Sequence, residues 1–413
     1  MKTRDDKVAL TELLLHGIGV SASSKHASVV ELLSAIRQHL QMDVAFVSEF
    51  SQGRRVFRHV DPVAPGNPVQ VGNGDPLEES YCQRIVDGRL PELMTDARDN
   101  PVAAALPVTH ALPVGAHLSV PIRLADGDIY GTFCCFSFTP DRTLDQRDLN
   151  MMRVFADVTA RLIDSEQEAS RRRQAMEAGI REVLQRDYLQ MVFQPIYDLS
   201  KDRVAGFEAL ARFSPRPHRP PDRWFKDANE IGLGLELETK AIHMALDALQ
   251  RFPANVYLSV NLSPQHILQG ALDDIFRDRS LQQVTLEITE HTIVDYYDDL
   301  IKRIQPFRDR GLQIAVDDAG AGYASFRHIL KLAPERIKLD MSLTHNIDGD
   351  ASRRALAAAF SMFSRETGAT IVAEGVENAS EIETLRNLGI SHMQGYYLGQ
   401  PVPLEQAARR HLH

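Results

Sequence analysis

Cysteine is scarce in this chain: Cys82, Cys134 and Cys135 are three in 413 residues. That odd, low number excludes a disulfide framework and fits a reducing compartment. Neither the three cysteines nor the 15 histidines show metal-ligand spacing. The cysteines are expected to be packing residues, and His243, His328 and His345 to lie on the surface or on helix faces. Positive charge is not in excess either. A formal net charge of −10 argues against general binding to nucleic-acid polymers or anionic membranes. No stretch is long and apolar enough to span a bilayer, so no membrane insertion is expected. The apolar stretch from Val8 to Leu15 is short and broken by Glu12, which does not fit a signal peptide. A cytoplasmic location is the expectation.

What remains is ordinary for a globular protein. The chain is 44% hydrophobic and 25% charged, with the length of two or three domains. Residues 1–163 form a first α+β unit. Val29 to Leu40 has helical periodicity, and Val44 to Phe50 reads as a strand. Leu118 to Leu124 and Ile129 to Phe136, joined through Asp126-Gly-Asp, read as a β-hairpin. Leu144 to Ile163 reads as a helix. With the Tyr130-Gly131 step and the helix start after Thr139-Pro140, this unit resembles a GAF domain, a small-molecule sensor, which implies a small-molecule ligand.

Residues 164–187 contain Arg171-Arg-Arg173, a solvated face, among good helix formers. Phe155, Val158, Leu162, Ala169, Met176 and Val183 fall near a seven-residue spacing. A continuous helix follows, open between pairing with a second copy and standing as a solvated linker.

In residues 188–413, eight short apolar runs lead into a polar side chain. Their polar ends are Gln194, Glu208, Asn261, Glu287, Asp317-Asp318, Lys338 with Asp340, Glu374 and Gln394. Helix-length segments separate most of them: Leu237 to Phe252, Asp295 to Arg310, Ala351 to Thr367 and Ala379 to Leu388. Such spacing favours parallel crossovers. Strands that all end on polar groups converge on one charged pocket at the C-terminal rim of a barrel. The first two strands are joined by Ser200-Lys-Asp, too short for a parallel crossover. The expected fold is therefore a modified (β/α)8 TIM-type barrel with an antiparallel first strand. Ile231-Gly-Leu-Gly does not follow a strand and reads as a helix boundary, not a nucleotide fingerprint.

Carboxylate and amide oxygens are hard ligands that suit Mg²⁺ or Mn²⁺. Without cations, the converging acids would repel and their pKa values would rise. Asp317 and Asp318 can both reach the rim if the strand leaves its alternation there, and one can bridge two metals. Two such ions stabilise the attacking and leaving oxygens of a phosphoryl displacement. Singly, each residue has an ordinary alternative. Asn261 ahead of Ser263-Pro264 can serve a helix cap, Lys338 can snorkel to the surface, and Asp317-Asp318 before Gly320 can be a turn.

The ordered set carries more than its members. Gln194-Pro-Ile, Glu208-Ala-Leu210 with Arg212, Asn261-Leu-Ser, Glu287-Ile-Thr-Glu290, Asp317-Asp318, Lys338-Leu-Asp340, Glu374-Gly-Val-Glu377 and Gln394-Gly resemble the EAL-domain phosphodiesterases. The resemblance runs from about Leu189 to Pro403. It implies hydrolysis of cyclic di-GMP to linear pGpG with two divalent ions, and a homodimer as the assembly. It implies Glu208, Asn261, Glu287 and Asp317 as ligands of one ion, and Asp317 and Asp318 as ligands of the other. Glu374 is implied at the metal and water site, with Glu377 and Gln394 completing that wall. Lys338 is implied to hold the catalytic water and Glu290 to brace the loop after the Asp pair. Gln194, Leu210, Arg212, Asp340 and Gln394 lie where the family contacts its nucleotide. Two positions depart from the family: Ala319 stands in place of a phenylalanine, and Gln400 in place of an arginine. Ala319 keeps a second reading open, a receptor that binds cyclic di-GMP without cleaving it. A third, an aldolase-like barrel, is opposed by the first hairpin and by the lack of a Schiff-base context for Lys338.

Overall fold

The structure is a computed structural model, and it describes residues 28–215, 218–288, 296–320 and 324–410. The chain divides into two compact units at Arg172/Arg173. No described helix is long and apolar enough to cross a membrane.

The first unit is built on a six-stranded sheet with spatial order β3-β2-β1-β6-β5-β4. Its strands are β1 (Val44–Ser51), β2 (Arg54–Asp61), β3 (Gly74–Pro76), β4 (Leu93–Met94), β5 (His117–Arg123) and β6 (Ile129–Phe136). Successive residues of a strand face opposite sides, and β6 makes both sides core. Phe133 and Cys135 pack with Leu32, Leu33 and Ile36 of the helix Val29–Leu40 and with Met152 and Phe155 of a later helix. Cys134 and Phe136 pack on the other side with Tyr81, Cys82 and Ile85 of the short helix Tyr81–Val86. The helix Val29–Leu40 starts at a capping box, in which Ser28 and Glu31 satisfy each other's backbone N–H.

A single helix, Gln146–Gln185, spans the segment expected to join the units. Phe155, Val158 and Ile163 are buried near its start, and Ile180 and Val183 near its end. None of the residues between 164 and 179 is buried, so the question of pairing rests on partners outside the chain.

The second unit is a closed barrel. Its strands are β7 (Leu189–Asp198), β8 (Arg203–Phe213), β9 (Tyr257–Asn261), β10 (Val284–Ile288), β11 (Gln313–Ala319), β12 (Arg336–Leu339), β13 (Thr370–Ala373) and β14 (His392–Met393), with β15 (Val402–Pro403) added beside β7. β8 through β14 run parallel, and β7 pairs antiparallel with both β8 and β14, which closes the ring. The crossover helices include Gly234–Leu249, Tyr297–Arg308, Ala351–Thr367 and Ala379–Asn387. Buried Leu, Ile, Val and Phe side chains of the strands and helices form one continuous core. His328, expected on the surface or on a helix face, lies on the helix Ala324–Leu332 but not at the surface. It is fully buried, and Nδ1 lies 3.1 Å from the Tyr297 hydroxyl.

Candidate active site

The strand ends meet around a cavity of about 380 Å³, lined by Gln194, Glu208, Leu210, Asp317, Asp318, Lys338, Asp340, Glu374, Glu377 and Gln394, with Met341, Gly375, Gly395 and Tyr396. Asn261 closes β9, and Glu287 lies one residue before the end of β10. Glu374 and Gln394 directly follow β13 and β14. Glu208 and Gln194 do not sit at strand ends. They pair with each other in mid-hairpin, and β8 continues to Phe213. The hairpin overruns the rim because two antiparallel strands satisfy each other beyond the point where the parallel ladder stops: β9 pairs only with Gly206 to Glu208.

At Asp317-Asp318 the register between β11 and β12 slips, so that Val316 pairs with Ile337 but Ala319 with Leu339. A bulge re-aims side chains, and here it sends two consecutive carboxylates to the cavity. Asp318 takes φ of +55°, a left-handed conformation that costs a non-glycine residue on the order of 1 kcal/mol. Ala319 is fully buried and belongs to the barrel core.

Lys338 is the electrostatic centre. Its Nζ lies 2.8 Å from Glu287 Oε2, 2.8 Å from Glu374 Oε1, 3.0 Å from Asp317 Oδ1 and 3.5 Å from Glu208 Oε1. The ammonium is buried, and although burial opposes its charge, the surrounding carboxylates hold its pKa well above the usual lysine range. The acids also move up, which for them favours the neutral form. Glu287 is pushed up to about 8, first by burial, then by Glu208 and Asp317, with Lys338 opposing. Burial likewise raises Glu374 well above the carboxylate range. Repulsion among the acids contributes, but desolvation leads.

A line of amides fixes Glu208. The Gln194 amide donates to Gly399 O at 3.2 Å. The Gln394 amide donates to Gln194 Oε1 at 3.0 Å and to Glu208 Oε2 at 2.6 Å. Asn261 Nδ2 reaches Glu208 Oε1 at 3.4 Å. Asp340 caps the helix Met341–Thr344 through Ser342 N–H. Arg212 is exposed, donates to Ala211 O at 2.8 Å and borders a second cavity of about 390 Å³, which also takes in Asn261. Leu210 borders both cavities. Glu290 lies outside the described residues.

Two residues that strand patterning does not single out hold the frame. Glu381 is fully buried, and its carboxylate accepts from the N–H groups of Asn346 (2.8 Å), Glu377 (2.8 Å) and Asn378 (3.3 Å). The spacing Asn378-x-x-Glu381 is a capping-box signature and was the available signal. Glu238 Oε2 lies 2.8 Å from His266 Nδ1 and accepts from Ser263 N–H at 3.1 Å, fixing the turn after Asn261.

The donor set fits a divalent cation. Oxygens of Asp317, Asp318 and Glu374 lie within 4.8 Å of one another. Among the described residues, Glu287 Oε1 and Gln394 Oε1 are buried without a hydrogen-bond partner, a costly state for a polar atom. One ammonium does not balance four carboxylates. Hard oxygens in excess of protein cations are what Mg²⁺ or Mn²⁺ binds.

Fold and site together define a modified barrel with an acidic mouth at its C-terminal rim. The family model of the EAL domain matches residues 177–401, and that of the GAF domain matches residues 24–164. The chain belongs to the EAL domain family, with a GAF domain ahead of the barrel. It is 30% identical over 58% of its length to the oxygen sensor protein DosP of Escherichia coli, and 28% identical over 55% to the bifunctional diguanylate cyclase/cyclic di-GMP phosphodiesterase MucR of Pseudomonas aeruginosa. These matches span only 31% and 35% of the relatives' own lengths. A solved structure of the PaMucR phosphodiesterase in complex with c-di-GMP superimposes with a TM-score of 0.51 at 26% identity, covering 56% of this chain and 99% of that one. An EAL domain protein from Listeria monocytogenes shares the fold, with a TM-score of 0.51 at 22% identity over 55% of this chain and 94% of that one.

Proposed function

We propose that the barrel hydrolyses cyclic di-GMP to linear pGpG with two divalent cations. The observation that carries this reading is the set of four carboxylates within 3.5 Å of the Lys338 ammonium, with buried oxygens left over. Glu208, Asn261, Glu287 and Asp317 would hold one ion, and Asp317, Asp318 and Glu374 the other. Bound there, such ions supply Lewis-acid polarisation of a phosphate oxygen and lower the pKa of water. Lys338 donates to the attacking water and orients it. Glu377 and Gln394 complete the wall on the Glu374 side, and Glu290 braces the loop after Asp318. The water oxygen attacks phosphorus, the bond to the 3′-oxygen breaks, and that oxygen leaves as a hydroxyl. Arg212 contacts a phosphate, and Gln194, Leu210, Asp340 and Gln394 contact the nucleotide. The two cavities that share Leu210 leave room for its two halves.

The test is hydrolysis of cyclic di-GMP by the purified chain with Mg²⁺ or Mn²⁺, beside Glu208→Ala. Production of pGpG that disappears in the variant supports the enzyme. Retained nucleotide binding without turnover supports the receptor reading, which Ala319 favours because a small side chain stands where the resemblance expects an aromatic one.

The GAF unit regulates this turnover through the helix Gln146–Gln185, with a homodimer as the assembly. Ala169→Gly with Ala175→Gly weakens that helix by about 1 kcal/mol per site. Turnover should then change although neither residue touches the site, and unchanged turnover counts against the coupling.

A further inference from the structure

The face of the first sheet that meets the helix Tyr81–Val86 is polar in a way its packing does not require. Ser48, Ser119, Thr132 and Cys134 on β1, β5 and β6 are fully buried, as is Cys82 on the helix. Cys82 Sγ and Cys134 Sγ are 3.7 Å apart. Arg55, whose side chain is 4% exposed, brings Nη1 to 3.2 Å from Cys82 Sγ, and its other face is paired with Asp75. Ser119 Oγ and Thr132 Oγ1 lie 2.9 and 3.1 Å from Cys134 Sγ.

We propose that Cys82 and Cys134 are an oxidation site, a thiol pair that a hydroperoxide converts to a disulfide. A guanidinium held against a sulfur stabilises the thiolate, which is the nucleophile. Burial pushes the Cys82 thiol up, but hydrogen bonds from Cys134 and the charge of Arg55 bring it well below the usual thiol range. Cys134 moves the other way, raised by burial and by its neighbour Cys82. One sulfur is thus set to attack and the other to resolve.

The Cys82 sulfur attacks a peroxide oxygen, the O–O bond breaks, and the departing oxygen takes a proton and leaves as an alcohol or water. Cys82 is then a sulfenic acid. The Cys134 sulfur attacks Cys82, the S–O bond breaks, and hydroxide leaves with the Cys134 proton as water. The two thiols give up two electrons and two protons, and the peroxide receives both. The two sulfurs, at 3.7 Å, have to close to about 2.05 Å to bond. The helix Tyr81–Val86 has six residues, and short elements open more readily than the global fold, which gives a small oxidant its path. Cys135 cannot substitute for Cys134, because strand alternation places it on the opposite face, among Leu33 and Phe155.

The reduced 413-residue chain is treated with hydrogen peroxide, then unfolded, alkylated and mapped by mass spectrometry. The expected result is joint loss of two of the three thiols, a peptide pair linked through Cys82 and Cys134, full reversal by dithiothreitol, and Cys135 still alkylated. In Cys134→Ser, Cys82 should stop at the sulfenic level and be trapped by dimedone. The proposal fails if all three thiols persist under treatment that fully oxidises glutathione. It also fails if Cys82 over-oxidises in the wild-type chain without the cross-link, or if the linked pair includes Cys135.

Discussion

The Lys338 ammonium stands 2.8 Å from Glu287 Oε2, and the two side chains are 3% and 0% exposed. The same ammonium lies within 3.5 Å of three further carboxylates, those of Glu374, Asp317 and Glu208. A buried cation with four anionic neighbours does the work of counter-charge until a metal shares it. Lys338→Met should remove that charge while filling similar volume. Breaking a buried pair by deleting one partner costs about 3–5 kcal/mol. At about 2–4 °C per kcal/mol for a unit of this size, the barrel transition should fall by roughly 6–20 °C in a chelator. Mg²⁺ or Mn²⁺ should recover much of that loss, yet pGpG production should stay absent. Thermal unfolding with and without metal reads both effects. An unchanged midpoint in the chelator would remove Lys338 from the centre of the electrostatic account.

Glu381 ties the segment after β13 to the segment at Asn346 through three backbone N–H groups. Glu381→Ala leaves those donors without their acceptor, at about 1–3 kcal/mol for each that water cannot reach. Because Glu374 and Glu377 are carried on the tethered segment, turnover should fall about 10–100-fold, mostly in kcat. Glu381→Gln keeps an acceptor oxygen and should recover part of the rate. If alanine lowers only the melting temperature and leaves kcat alone, the tether has no bearing on the site.

His117 offers a pH dependence away from the cavity. Its ring is buried, stacked on Tyr81 at 4.8 Å between centroids, and Nδ1 has no hydrogen-bond partner among the described residues. Burial, helped by the Arg55 charge, lowers its pKa from 6.5 to about 3. Between those values the folded chain binds fewer protons than the unfolded one, so stability rises with pH across the window. The contribution is intact above about 6.5 and is lost as pH falls toward about 3. The slope is on the order of 1 kcal/mol per pH unit. His117→Phe keeps a ring against Tyr81 and removes the titration. Unfolding of the first unit at pH 7 and pH 4.5 should show a shallower acid loss in the variant, and equal losses would count against a neutral buried His117.

Much of this architecture is legible in the sequence because barrel strands repeat one local pattern. The apolar runs ending in Asn261, Glu287, Asp317 and Glu374 mark rim positions, and the helix Ala351–Thr367 is bounded in the structure where periodicity puts it. The three-residue gap after Leu199 forces the hairpin. What is not legible depends on contacts between distant segments. Glu208 sits in mid-strand because β7 extends β8 past the rim. His328 is buried because Tyr297, on another helix, covers it. The convergence of four acids on Lys338 arises only when the second unit folds, and the meeting of Cys82 with Cys134 only when the first does.

Gly395 tests how tightly the cavity wall must close. A Cβ at this position would lie 2.1 Å from Val376 O and 2.2 Å from Val376 N, both backbone atoms. The same two segments are joined by the Val376 N–H bond to Gln394 O at 3.1 Å. Gly395→Ala must therefore part the segment bearing Glu374 from the segment bearing Gln394, and a small-to-large change in a closed site costs about 1–3 kcal/mol. Activity should suffer more than stability, because Gln394 fixes Glu208 and Glu374 shares the Lys338 ammonium. Displacement on the order of 1 Å is enough for about a 100-fold loss. Comparing kcat/KM with the melting temperature of the same sample separates the two effects. Wild-type turnover in Gly395→Ala would mean that the close approach serves folding alone, and that Glu208 is held in place by Asn261 rather than by the amide line from Gly399.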